Sequence, residues 1–375
     1  MKIIGIICEF NPLHLGHAKQ IRMIRDQFPD CAVVCLMSGN FVQRGQPAIV
    51  DKSIRAKAAL LSGADLVLEL PLTAALSSAE GFAAGGVKIL GSFCDYLCFG
   101  SETGDRDALM STADALLAQD FPEKLRSELQ KGLSFPAARQ AALGSSGALL
   151  EKPNDILAVE YCKAIRTTHC TMEPLPILRE GSYHAETEDY VNPSASFVRS
   201  QMLQCKDWKS FVPHPEVYEG AALHMLSAGE KAILYRLRTM TDAEFEALPY
   251  GSEGLWRKFM HACREQNSLD EIIAATKSKR YTRTRLDRMV MCAYLGISRE
   301  ILESPAPYCR VLALNDTGRI VLKEARNVGS FPNIGEKIDD PYQILEHRAD
   351  SLYGLFTDTP EPPDAADTRR IIYLR

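Results

Sequence analysis

Two histidines three residues apart, His14 and His17 in Asn11-Pro12-Leu13-His14-Leu15-Gly16-His17, bear most directly on chemistry in this chain. On a loop that leads into a helix, both side chains point toward one ligand. The free N–H groups and partial positive charge of a helix N-terminus attract phosphate. Gly16 lets a base or ribose come close to the backbone. Imidazoles so placed donate hydrogen bonds to the charge that builds on an α-phosphate as pyrophosphate is displaced. Two helix-start histidines without a ligand would be spelled the same way. What separates the two readings is context, a buried strand before the string and a helix after it.

The flanking segments supply that context. Lys2 to Cys8 is a short continuous apolar run, as a fully buried strand is. His17 to Phe28 has Ile21, Ile24 and Phe28 at helical spacing. Strands then follow at Cys31–Met37, Leu66–Leu70 and Tyr96–Gly100. Helices are expected at Asp51–Ser62, with Ile54, Ala58 and Leu61 inward, and at Ala75–Leu90. Strand alternating with helix predicts a doubly wound parallel sheet, which binds ligands beyond the carboxyl ends of its strands. The loop after the first strand and Phe99-Gly100-Ser101-Glu102 after the fourth should face one crevice. Asp105 to Glu151 reads as a helical cap. The sheet resumes at Glu173–Leu178, and Ser194–Leu203 closes the domain as a helix. From about Trp208 to Ile297 nearly every segment has helical periodicity, for example Glu230–Arg238 and Asp242–Leu248, which reads as a helical domain. Cys309–Leu314 and Arg319–Leu322 read as short strands around an Asn315-Asp316-Thr317-Gly318 turn. The fold class is therefore α/β, in three parts: a nucleotide-binding catalytic domain over 1–205, a helical domain over 206–300 and a small α/β region over 301–375.

The chain has 375 residues, 46% hydrophobic and 24% charged, with net charge -5, so its average field does not attract a polyanion and any RNA contact must be local. Local concentration exists in Lys277-Ser278-Lys279-Arg280-Tyr281-Thr282-Arg283-Thr284-Arg285-Leu286-Asp287-Arg288, with six basic residues and one acid. It is either an RNA-tracking surface or a solvated helix face. Asn40 to Pro47 is longer than a plain connection and reads as a loop over the active site, with Arg44 and Lys52 as contacts to phosphate or RNA, or else as surface cations. The 11 cysteines lie mostly in apolar runs and no secretory signal precedes them, which implies reduced thiols and a cytoplasmic setting. Cys31/Cys35 and Cys94/Cys98 lack the second pair of a zinc knuckle, so no protein-held metal is expected. No apolar run is long enough for a bilayer, so no membrane partner is expected.

His14-Leu15-Gly16-His17 resembles the HxGH signature of nucleotidyltransferases and class I tRNA synthetases. The longer stretch Gly5–His17 is similar to the start of the bacterial tRNA(Met) cytidine acetate ligases. So are Ser38–Gly45 with Pro47–Lys52, Gly63–Pro71, Pro153–Leu157, and Lys279–Thr282 with Arg285 and Arg288. The resemblance runs from the first residue to about Tyr353, and the Asn40–Lys52 block is far more specific than HxGH alone. It implies an enzyme that makes acetyl-adenylate from ATP and acetate. The acetyl group then passes to N4 of the wobble cytidine of elongator tRNA(Met). It implies catalytic roles for His14 and His17. It implies ATP contacts at Ile7-Cys8-Glu9-Phe10-Asn11-Pro12-Leu13-His14-Leu15-Gly16-His17-Ala18-Lys19-Gln20, Gly100, Asn154, Arg179 and Glu180, and tRNA contacts at Lys279, Arg280, Arg285 and Arg288. Asp155 and Ala158 depart from the Asn and Gly frequent in the family.

The residues themselves leave some of these roles open. Gly100 is either a site glycine or a turn glycine. Asn154 is either a ligand contact or the cap of an Ile156–Ile165 helix. Arg179 either holds a phosphate bidentately or pairs with a surface acid. Pro193-Ser194-Ala195-Ser196-Phe197-Val198-Arg199 either holds pyrophosphate or caps a helix. Mg²⁺ is expected with the nucleotide, on phosphate oxygens and water, since Glu9 is the one acid near the motif. The alternative functions are a cofactor adenylyltransferase acting on a small phosphorylated substrate, and an RNA-binding protein that binds nucleotide without catalysis. Roughly 170 residues beyond the sheet exceed what a minimal adenylyltransferase of ~150 residues needs. Oligomeric state is not specified by the sequence.

Overall fold

The computed structural model describes residues 1–179, 193–278, 280–363 and 369–375. Among the described residues there are nine strands: β1 (Ile3–Cys8), β2 (Ala32–Ser38), β3 (Phe41–Val42), β4 (Gln46–Pro47), β5 (Leu66–Leu70), β6 (Tyr96–Ser101), β7 (Glu173–Leu178), β8 (Val311–Leu314) and β9 (Ile372–Tyr373). Seven form one sheet in the order β7-β6-β1-β2-β5-β8-β9, while β3 and β4 form a separate hairpin. From β7 to β5 every pairing is parallel. The chain moves outward from β1 through β2 to β5, then returns to β1's other side for β6 and β7. The strand order therefore reverses between β1 and β6, where doubly wound sheets open a ligand crevice.

Both sheet faces are covered, which explains why β1 is buried along its whole length. Ile3 and Ile7 face the helices Ala79–Leu90, Arg106–Leu117 and Pro153–Thr168, while Ile4, Ile6 and Cys8 face the helices Leu15–Gln27 and Lys52–Leu61. This is the two-residue period of a strand written into a layered sandwich. The helices Leu226–Thr239, Leu255–Glu265, Leu269–Thr276 and Arg283–Leu295 build a second core around Ile233, Phe245, Phe259 and Met289.

Several expectations change here. Arg319–Leu322 is not a strand. Asn315 caps a helix, Asp316–Ala325, by accepting from Gly318 N–H at 2.9 Å, and Gly318, Val321, Leu322 and Ala325 recur at helical spacing on its buried face. Among the described residues, the region 301–375 joins the cores of the sheet and of the helices. β8 extends the main sheet antiparallel to β5, β9 pairs with β8, and the helix Pro341–Tyr353 joins the helical core through Leu345, Ala349 and Tyr353. The expected Ala75–Leu90 helix is broken into Leu72–Ala75 and Ala79–Leu90, because Ser78 caps a new start. In Lys52–Leu61 the inward face carries Arg55, Ala58 and Ala59, and Leu61 is 38% exposed.

The segment expected to lie over the active site touches the loop after β1, where Gln43 N–H donates to Glu9 at 2.8 Å, and also wedges into the helical core. Phe41 and Val42 are buried, and Phe41 packs edge-on against Tyr353 and Phe356. Gly45 has φ +73, and a Cβ there would stand 2.4 Å from the Arg288 backbone nitrogen. Only glycine fits that approach. Lys52 is also relocated by the structure. It is buried, with Nζ 2.8 Å from Glu69 and 2.8 Å from Asp350. Burial alone would push its pKa down; Asp350 and Glu69 outweigh that and hold it at about 12. A lysine engaged this way is not available to phosphate or RNA.

Lys52 thus ties the catalytic sheet to the helix Pro341–Tyr353 across the chain. Lys52→Met leaves the buried Glu69 facing Asp350 with only Asn40 and Arg369 beside the latter, and we expect a loss of about 3 kcal/mol in urea unfolding, as for a broken buried pair. A loss below about 1 kcal/mol would show that water screens the cluster.

Candidate active site

The site starts where β1 ends. Phe10 takes φ +45, unusual for a residue with a side chain, and turns the chain so that its own ring is buried. Asn11 is buried, and its Oδ1 accepts from Ile49 N–H at 2.7 Å. Beneath the turn lies Arg55, with no exposed surface. It donates to the carbonyls of Glu9 (2.7 Å), Ser38 (3.0 Å) and Val50 (3.0 Å), and to that of Gly39. These are carbonyls at and beyond the ends of β1 and β2, where strand pairing has run out. Sequence reading missed Arg55. Its signal was its place on the apolar face of a helix, three and four residues before Ala58 and Ala59.

His14 is the N-cap of Leu15–Gln27. Gly16 N–H donates to His14 Nδ1 at 3.1 Å, and His14 N–H donates to His17 Nδ1 at 3.3 Å. Both Nδ1 atoms are acceptors, so in each neutral ring the proton sits on Nε2, which makes Nε2 a donor. The rings stack at 3.8 Å with 27° between planes, and Phe10 meets His17 edge-on at 5.0 Å. Burial, Arg179 and Arg199 hold the His14 pKa down at about 3; burial, His14 and Arg179 hold His17 well below the usual range. Both imidazoles are uncharged at neutral pH. The first turn of their helix carries no acid, so its positive end is uncompensated from within.

The opposite wall comes from the ends of β6 and β7. A Cβ on Gly100 would lie 2.9 Å from Arg179 Cδ, so the glycine is what lets the arginine lie across the strand. Arg179 Nη1 donates to Asn154 Oδ1 at 3.1 Å, and Asn154 Nδ2 donates to Glu102 at 2.6 Å. Asn154 is therefore not the cap of its helix. That helix spans Pro153–Thr168 with Lys152 at its N-cap, and Asn154 lies inside its first turn. Arg199 closes the third side. It donates to Asn11 O at 2.7 Å and to Ser196 Oγ at 3.0 Å, while Ser194 caps Ala195–Leu203. The crevice thus gathers two neutral imidazoles, two guanidiniums and a helix N-terminus, an arrangement suited to a polyphosphate.

Not every residue read from the sequence lies there. Glu180 and Lys279 fall outside the described residues. Ile7 and Cys8 turn their side chains into the two cores and Leu13 is buried, so these offer the crevice backbone only. Gln20 donates to Cys98 Sγ at 3.5 Å, and Lys19 is exposed on the same helix. The basic run divides. Arg280 is exposed and pairs with Glu253 at 2.6 Å. Arg285 donates to Tyr250 O at 2.7 Å, with its guanidinium over Tyr281. Arg288 is buried, over the Tyr250 ring at 5.0 Å and 3.4 Å from Gln43 O. Glu102, unassigned from sequence beyond ending the fourth strand, sits at the centre of the β6 wall.

A family model described as HIGH Nucleotidyl Transferase matches residues 1–366. A tRNA(Met) cytidine acetate ligase of Clostridium novyi is 37% identical over 357 residues, covering 88% of this chain and 89% of that protein. One of Clostridium acetobutylicum is 33% identical, covering 97% and 98%. Thermotoga maritima TmcAL bound with alpha-thio ATP superposes with a TM-score of 0.87 at 28% identity over 100% of both chains.

The depressed His14 pKa has a thermodynamic consequence. Above its unfolded value His14 is neutral in both states. As pH falls below that value the unfolded chain binds a proton that the fold refuses, so stability is lost down toward the folded value of about 3. His14→Asn keeps a capping acceptor and removes this term. Relative to its own stability near pH 7.5, the wild type should lose about 2 kcal/mol more than the variant at about pH 5. Equal losses in urea titrations would refute a buried neutral His14.

Proposed function

This chain belongs to the HIGH nucleotidyl transferase family, among the tRNA(Met) cytidine acetate ligases, and from that membership we propose that it activates acetate with ATP and acetylates N4 of the wobble cytidine of elongator tRNA(Met). The observation that supports this most is the crevice between β1 and β6, where neutral His14 and His17 stand beside Arg179 and Arg199.

In this reading the triphosphate lies at the N-terminus of Leu15–Gln27. An acetate oxygen attacks the α-phosphorus, the bond to the bridging oxygen breaks, and pyrophosphate leaves. The Nε2–H groups donate to the non-bridging α-oxygens as their charge grows. Arg179 and Arg199 offset the charge of the phosphates. The cytidine N4 then attacks the acetyl carbon, its proton is lost, and AMP departs with the electron pair of the acyl–oxygen bond. Mg²⁺ accompanies the nucleotide on phosphate oxygens and water. Among the described residues no helix is long and apolar enough to cross a membrane, in keeping with a cytoplasmic enzyme that meets tRNA.

The tRNA is assigned to Lys279 together with Lys277 and Arg280, the latter two exposed just before the helix Arg283–Leu295, while Arg285 and Arg288 on that helix brace it against Tyr250. Arg44 extends that surface toward the adenylate. It is exposed on the β3–β4 hairpin, where Gln43 N–H reaches Glu9 at 2.8 Å on one side and Gly45 touches Arg288 on the other.

Purified protein should exchange labelled pyrophosphate into ATP only when acetate is present; exchange without acetate, or none, sinks the reading. His17→Ala should slow that exchange by about 10²-fold or more with ATP affinity nearly intact, the signature of a transition-state donor. Replacing Lys277, Lys279 and Arg280 together by alanine should weaken tRNA binding and lower its salt slope by roughly one unit per lost phosphate contact, with exchange unchanged. Loss of exchange in that variant would place the run in the nucleotide site.

A further inference from the structure

The turn after β6 and the start of the helix Pro153–Thr168 hold each other through two carboxylates that point in opposite directions. Asp155, fully buried, reaches back to the turn, accepting from the hydroxyls of Ser101 and Thr103 and from Glu102 N–H at 3.0 Å. Glu102 reaches forward to the helix, accepting from Asn154 N–H at 3.2 Å, Asp155 N–H at 2.8 Å and Asn154 Nδ2 at 2.6 Å. Asp155 alone would join the two segments. The extra feature on the Glu102 side is that its third donor is a side chain, and that side chain also faces Arg179.

The orientation of the Asn154 amide follows from the chemistry of its two neighbours. An ionised carboxylate only accepts and a guanidinium only donates. An amide between them must turn its NH₂ to Glu102 and its oxygen to Arg179, and of the side chains of this length only Asn does both. Arg179, in turn, lies over Gly100 and beside the two histidines, whose pKa values its charge depresses.

We infer that Glu102 is a positioning residue of the nucleotide site: through Asn154 it fixes where the Arg179 guanidinium stands. The inference rests on the crevice binding ATP, as in the function proposed above. Glu102 touches neither nucleotide nor acetate in this scheme. Without it the Asn154 amide turns freely, and Arg179 loses the acceptor that holds it across Gly100.

Direct titration of the purified full-length protein with ATP tests this, because it does not depend on acetate or tRNA chemistry. Glu102→Ala should weaken ATP binding about tenfold, and Arg179→Ala by at least as much. In the double variant the loss should equal that of Arg179→Ala alone, since Glu102 acts only through the arginine. Glu102→Gln keeps an acceptor for Asn154 and should recover most of the affinity. It also serves if the alanine variant folds poorly. A purely structural Glu102 would lower the melting temperature and leave ATP affinity unmoved in the folded fraction, and a Glu102 acting independently of the arginine would multiply its loss with that of Arg179→Ala; either affinity result overturns the inference. Wild-type protein that binds ATP yet fails acetate-dependent exchange would overturn the proposed function and leave this relay standing. Wild-type protein that does not bind ATP overturns both.

Discussion

One buried guanidinium sets the geometry from which the site is built. Parallel strands leave their last carbonyls without partners, and here the loops after β1 and β2 must run side by side over a core that excludes water. Arg55 satisfies carbonyls from both loops and from Val50 at once. A lysine would present one point of charge and could not fork across four oxygens. Burying a charge is costly unless its donors are all engaged, and it is this engagement that makes the loops rigid relative to one another. The Phe10 turn, the Asn11 anchor and the capping position of His14 all hang from the stretch so held.

The crevice divides its electrostatic labour. Its positive charge resides in Arg179, Arg199 and a helix terminus. That same charge, with burial, keeps the imidazoles neutral. They therefore contribute as oriented dipoles whose protons are fixed on Nε2 by the backbone and by each other. A ligand that arrives with several negative charges meets donors that need no rearrangement, which is the condition under which such donors are most effective.

Much of this was legible in the sequence, and the reasons are specific. β5 begins and ends where its mainly apolar run does, because a strand buried along its whole length leaves a short stretch bounded by turn residues, here closed by Pro71. The HxGH string declared itself through the strand before it and the helix after it. What sequence did not disclose depends on partners far along the chain. Lys52 looks like a surface cation until Asp350 arrives to bury it. Arg288 reads as one more member of a basic run, yet its helix turns it toward Tyr250 and the hairpin. Asp316–Ala325 was misread because Asn-Asp-Thr-Gly spells a hairpin turn as readily as a helix cap, and only the spacing of Val321, Leu322 and Ala325 decides between them. Glu102 carried no local signal, since a strand-end acid has no meaning until its three donors are known.

The strand order also governs how the molecule comes into being. β5 has one neighbour from the N-terminal part of the chain, β2, and its other edge is covered only by β8, about 250 residues later. A ribosome releases both histidines and the parallel core long before that covering strand exists. At ordinary elongation rates the interval lasts roughly 12–50 s. Throughout it, Leu66-Val67-Leu68-Glu69-Leu70 presents an open apolar edge, the form of strand most prone to pair with another chain. Lys52 waits over the same interval for Asp350. Edge pairing with other chains is therefore a hazard of this interval and not of the finished fold. An N-terminal fragment that stops short of β8 keeps every residue of the crevice, and keeps this sticky edge as well.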